Sequence, residues 1–277
     1  MIKLENVVLA SPEQMEFIIE GMRNPMNSWD KGDSQVCNYM FKGCCGSCGK
    51  ENHGCRTDSE ENDFYLGTND YFLMQKLSKA GTDHRKYMRM MPVYVRITAP
   101  LYWWKEFDTY KVGTVTNSCS TMHKIAAKEF TMEDFSTEHL ADDPSLRVLD
   151  NVLYELNAFR GRYLDYDELS DTTKNKLNYD KKDIWWQMIQ LLPSSYNQTR
   201  NVMMNYEVLS NIYKSRSGHK LDEWREFCRW IETLPYSELI MRAAGMNDNS
   251  INAKQGLLRH MNREDTYDAK MVKKDIS

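Results

Sequence analysis

The stretch PVYVRITAPLYWWKEF, residues 92–107, alternates and then stops alternating. Val93, Val95 and Ile97 fall on one side and Tyr94, Arg96 and Thr98 on the other, the period of a half-buried strand. Pro100 breaks that period and opens a short helix, since proline is tolerated at a first helical turn. A strand running straight into an aromatic helix places a sheet early in the chain. Downstream, Leu146, Leu149, Val152, Leu153, Leu156 and Phe159 recur at helical spacing over 145–163. A further helix over 180–192 carries Trp185, Trp186, Met188, Ile189 and Leu192 and ends at Pro193. Two more are predicted at about 204–215 and 220–233, separated by RSGH. Upstream, residues 1–8 read as a short strand. Ser11, Pro12 and Gln14 then form an N-cap, first-turn proline and capping box. NDYFLMQKLSKAG reads as a helix from Asn69 or Asp70, stopped by Gly81. Early strands followed by long helices define an α+β class.

The chain has 277 residues, 41% of them apolar, enough for a sizeable core. A net charge of −4 and a pI of 5.9 argue against sequence-independent nucleic-acid binding. No apolar run approaches the roughly 18 residues that span a bilayer, and MIKLENVVLASPEQ lacks signal-peptide features. A cytoplasmic protein, with no membrane partner, is therefore expected. Five of the seven cysteines, Cys37, Cys44, Cys45, Cys48 and Cys55, crowd into residues 37–55 near His53. One CxxC with a His and a Cys could supply four zinc ligands, but a second CxxC is missing. A reduced, Gly-rich loop without metal is the favoured reading.

Residues 107–123, FDTYKVGTVTNSCSTMH, concentrate hydroxyl, amide and amino groups directly after the aromatic helix. On composition they suit a helix cap and turn first, with a polar ligand as the alternative. Residues 80–90, AGTDHRKYMRM, carry His84, Arg85, Lys86 and Arg89, either a solvated turn or a basic pocket. Within the stretch of residues 204–224, helical spacing puts Tyr206, Ser210, Tyr213 and Ser217 on one side and Glu207, Asn211 and Lys214 on another, read as solvent exposure or a ligand face. HExxH, P-loop and GxSxG motifs do not occur.

In this order, the segments LSKAGTDHRKYMRMMPVYVRITAPLYWWKEF, TYKVGTVTNSCSTMH and LLPSSYNQTRNVMMNYEVLSNIYKSR resemble the flavin-dependent thymidylate synthases. The likeness covers about residues 70–235 and is closer to a divergent, phage-type branch. It implies that family's fold, an antiparallel or mixed sheet with long helices. The corresponding domain is 1–242, with a Cys-rich insertion at about 30–68 and a polar extension over 243–277. The implied activity is transfer of a one-carbon unit to the uracil ring of dUMP or a relative. FAD, methylenetetrahydrofolate and NADPH are the implied cofactors, and a homotetramer with sites at subunit contacts is the implied assembly. The resemblance assigns Ser120, Arg216, Lys105 and Glu106 to the nucleotide, and His84, Lys111, Asn117, Asn205 and Asn211 to the flavin. Several family arginines are replaced. The family's RHR is Thr109-Tyr110-Lys111 here, and Ser118, Met122 and Glu207 stand where it has Glu, Arg and Arg. Each lost arginine removes charge-assisted hydrogen bonds of roughly 1.5–3 kcal/mol, so Arg85, Lys86, Arg89, Lys105 or Lys214 would have to compensate. The alternative is a protein that keeps the fold and binds a nucleotide or partner without that chemistry.

Overall fold

The computed structural model describes residues 2–37, 63–140 and 142–256. The Cys44–Cys55 cluster and the end of the C-terminal extension lie outside them. Its elements run β1 (Lys3–Leu9), α1 (Pro12–Arg23), β2 (Gln35–Cys37), β3 (Asp63–Tyr65), α2 (Thr68–Lys79), α3 (Tyr87–Met90), β4 (Pro92–Pro100) and α4 (Leu101–Phe107). They continue with β5 (Val115–Ser118), α5 (Thr121–Lys124), α6 (Asp143–Asp165), α7 (Asp171–Lys174), α8 (Lys181–Leu191), β6 (Asn197–Asn205), α9 (Tyr206–Arg216), α10 (Asp222–Thr233) and α11 (Ser237–Ala243). Four strands form one sheet in the order β1-β4-β6-β5, and β2 pairs antiparallel with β3. This is the α+β architecture expected from the sequence.

Strand β4 follows its pattern closely. Val93, Val95, Ile97 and Ala99 are buried, while Tyr94 and Arg96 are exposed. The Ser11 capping box is present, with Ser11 Oγ accepting from Gln14 N–H and Gln14 Oε1 accepting from Ser11 N–H. Strand β6 over residues 197–205 and helix α11 were not predicted.

The chain divides into two units. One comprises Met1–Asn6, Val95–Lys111 and Val115–Val202. Its core joins α6 to α8, with Leu149, Leu153 and Leu156 against Met188, Phe130 and Phe135. Trp103 and Trp104 of α4 are fully buried, edge to face with centroids 4.9 Å apart. These two tryptophans are therefore core residues, whereas Trp186 is 42% exposed.

The other unit comprises Val7–Tyr94, Val112–Thr114 and Met203–Ser277. Within it α9 packs on α3, α10 and α11. The start of α2 is capped from a distance. Asp33 Oδ2 accepts from Asn69 N–H at 2.9 Å and its Oδ1 from Asp70 N–H at 3.0 Å. Asp70 in turn pairs with Arg23 at 2.5 Å and accepts from the N–H groups of Asp33 and Ser34. Burial would raise the Asp70 pKa, but the bonds from Ser34, Asp33 and Arg23 outweigh it and hold the carboxyl below its usual range.

Candidate functional site

The polar segment begins where α4 ends. Thr109 Oγ1 donates to Glu106 O at 2.7 Å, and Tyr110 N–H to Phe107 O at 3.0 Å. The segment then forms β5, the edge strand next to β6, with all four of its residues exposed. Ser120 caps α5, its Oγ accepting from His123 N–H at 3.4 Å. The segment is thus more than a helix cap and turn, because a strand lies inside it. Lys105, Lys111, Asn117 and Ser120 are exposed and Glu106 is half-buried, all in the first unit.

Two residues of β6 that sequence reading missed anchor this segment. Gln198, buried, donates from Nε2 to Thr121 Oγ1 at 2.8 Å and to Cys119 O at 3.4 Å. Arg200 donates from Nε to Gln198 Oε1 at 2.9 Å and from Nη1 to Asp108 Oδ1 at 2.7 Å. Its guanidinium lies 4.2 Å from the centroid of the buried Trp104 ring, a cation–π contact. A buried glutamine beside a near-buried arginine leaves no hydrophobic periodicity to find.

The same unit holds an open cleft of 760 Å3. Thr98, Cys119, Lys128, Phe135, Tyr196 and Asn197 are among its lining residues. Thr98 and Thr199 hydroxyls bond each other across the strands at 2.7 Å. Burial, reinforced by the Asp134 charge and by Cys119, pushes the Tyr196 phenol above its usual range.

His84, Asn205, Asn211 and Arg216 belong to the second unit. His84 is exposed in a turn whose N–H bonds Gly81 O at 3.2 Å. Asn205 caps α9, its Oδ1 accepting from Val208 N–H at 3.0 Å. Asn211 is exposed on α9. Arg216 lies 4.8 Å from the Trp224 ring centroid and bonds His219 Nε2 at 3.0 Å.

The polarity of α9 is solvent exposure at Asn211, Lys214 and Ser217, as one reading of the sequence had it, but has a different origin at its other polar residues. Tyr206, Ser210 and Tyr213 are buried, and the two phenols are satisfied internally. Tyr206 donates to Pro235 O at 2.5 Å and Tyr213 to Glu232 Oε1 at 2.6 Å. Glu207 is also buried, between Arg85 Nε at 3.2 Å and Arg89, whose Nε makes a short contact to it. Arg85 and Arg89, two of the basic residues that the sequence offered for a ligand, are therefore engaged by this carboxylate. Lys86, Lys105 and Lys214 remain exposed.

The donor set assigned to a flavin fits one chemically. The Asn117 and Asn211 amides, the His84 imidazole and the Lys111 ammonium are all exposed, and such groups donate to carbonyl and phosphate oxygens. Among the described residues no group of three or more metal-ligating side chains converges, and no helix is long and apolar enough to cross a membrane.

This architecture, with the polar edge segment in its sheet, is the α+β fold of the flavin-dependent thymidylate synthases. The structure of thymidylate synthase X from Helicobacter pylori, solved with FAD and dUMP, matches over 88% of this chain and 99% of its own, with 13% identity and a TM-score of 0.52. A UMP/dUMP methylase, PolB from Streptomyces cacaoi, bound with 5-Br dUMP, matches over 88% of this chain and 94% of its own, with 11% identity and a TM-score of 0.49. No family model matches the chain, and no curated protein matches it. At these identities the likeness is one of fold.

Proposed function

We propose that the protein is a flavin-dependent enzyme of pyrimidine-nucleotide modification, working in the cytoplasm and transferring a one-carbon unit to the uracil ring of dUMP or a relative. The observation that carries this reading is the near full-length likeness to a fold solved with FAD and dUMP. Ser120, Arg216, Lys105 and Glu106 take the nucleotide, and His84, Lys111, Asn117, Asn205 and Asn211 take the flavin. When bound, the flavin supplies hydride chemistry, with methylenetetrahydrofolate as the one-carbon source and NADPH as the reductant. The chain's own residues bind and orient the reactants, a contribution of proximity and electrostatics. Asn205 serves through its unused amide N–H groups, since its oxygen caps α9. The exposure of Lys111, Asn117 and Ser120 suits a site walled by another copy, with residues 107–123 of one chain facing 205–219 of the next in a homotetramer.

Calorimetry with dUMP and the visible spectrum of the purified protein test this reading. Saturable dUMP binding with a flavin spectrum supports it, and absence of both rejects it. Arg216→Ala is expected to weaken dUMP binding roughly tenfold, the loss of one charge-assisted hydrogen bond. Unchanged affinity would remove Arg216 from the site.

One observation favours the second reading, a nucleotide-binding protein without the chemistry. Glu207 replaces an arginine of the family signature and engages Arg85 and Arg89. That reading predicts dUMP binding with neither bound flavin nor one-carbon transfer.

A further inference from the structure

We propose that Gln198 and Arg200 are positioning residues that hold the nucleotide-binding segment in shape from both of its ends. A strand's inner face is ordinarily apolar, and a polar pair there incurs a desolvation cost unless it is fully bonded. Gln198 is 9% exposed and the Arg200 side chain 14%. Their bonds run outward to one destination, the polar segment. Arg200 grips Asp108 at 2.7 Å at its start. Gln198 grips Thr121 at 2.8 Å and Cys119 O at 3.4 Å at its end. The Nε bond of 2.9 Å joins the two residues, and the Trp104 face fixes the plane of the guanidinium. Lys105, Glu106 and Lys111 lie within three residues of Asp108, and Ser120 sits between Cys119 and Thr121. Two bonds in a fixed fork and a ring stack are a geometry that arginine satisfies and lysine does not.

The link to nucleotide rests on the proposed function, whereas the hold on the segment does not, so two measurements separate them. The first is amide hydrogen exchange in Arg200→Lys and Asp108→Asn, read over peptides covering residues 107–123 and 143–165. Faster exchange at 107–123 with 143–165 unchanged is expected for both variants. Unchanged exchange at 107–123 in the milder Asp108→Asn and in Arg200→Lys would overturn the proposal, and so would acceleration spread equally over both regions. The second is a double-mutant cycle of dUMP affinity with Arg200→Lys and Ser120→Ala. Acting through Ser120, Arg200→Lys should weaken binding at least fivefold alone and add less than twofold once Ser120 is alanine. Fully additive losses would overturn a positioning role toward Ser120. Wild-type protein that binds no dUMP, with exchange still accelerated in the variants, would reject the proposed function and leave the hold on the segment standing.

Discussion

Glu207 is a buried carboxylate held between Arg85 and Arg89, and that environment explains how its charge is tolerated. Burial would raise its pKa. Hydrogen bonds from Arg89 and Arg85, with their charges, outweigh burial and hold the carboxyl below its usual value near 4.5. A group whose pKa falls on folding binds protons more readily in the unfolded chain, so stability rises with pH through that range. The Glu207 contribution is therefore complete above about pH 4.5 and is lost as pH falls through the depressed folded value. Glu207→Gln should lower stability by about 2 kcal/mol, less than for a fully buried pair because Arg89 is half-exposed. Urea midpoints at pH 7 and pH 4 check this: the difference between wild type and variant should shrink at the lower pH. A contrasting pair of thiols lies in the same chain. Burial, with the Glu232 charge, pushes the Cys228 thiol up to about 12, whereas Cys119 is exposed. Iodoacetamide at pH 8 followed by peptide mapping should label Cys119 and spare Cys228 in the folded protein.

Among the elements, α9 shows how a helix with few purely apolar residues is buried. Its tyrosines carry apolar rings inward and satisfy their hydroxyls on Pro235 O and Glu232. Its start depends on Asn205 and on the close approach of Gly113, which has φ +76°. A Cβ at Gly113 would lie 3.0 Å from Asn205 Nδ2 and 3.1 Å from Val208 Cγ2. Gly113→Ala should therefore destabilise by about 1–2 kcal/mol from backbone conformation alone, with further loss from crowding the cap. Thermal unfolding of Gly113→Ala beside Asn205→Ala measures it; a melting temperature equal to wild type for Gly113→Ala would contradict the strained turn. The elements also differ in how legible they were. Strand β4 alternates apolar and polar from Val93 to Ala99, and α6 repeats its leucines at helical spacing. Strand β6 presents Gln198 as well as Val202 and Met204 among its buried residues, so its alternation is hidden by a polar member. Strand β5 is exposed on both faces and has no pattern to read.

For the whole molecule, the edge position and full exposure of β5 bear on assembly. Edge strands left open invite pairing with other chains, and Val115 is 61% exposed on this one. Light scattering at micromolar concentration should return four times the 32.7 kDa chain mass. A monomer would remove the proposed wall of the site and the facing of 107–123 on 205–219. The amino-acid sequence by itself determined features that depend on neighbours in the chain. These are the Ser11 capping box, the Val93-Val95-Ile97 face, the helical stripe through Leu149, Leu153 and Leu156, and the composition of the polar segment. The first three arise from residues two to four positions apart, whose spacing directly sets which side chains meet. Only the tertiary structure decided that Asp33 caps α2, that Glu207 takes Arg85 and Arg89, and that Gln198 and Arg200 hold Thr121 and Asp108. Those partners stand 36 to 122 positions apart. Any carboxylate can pair with any arginine in an open chain, and only the folded sheet and helices select which of them meet.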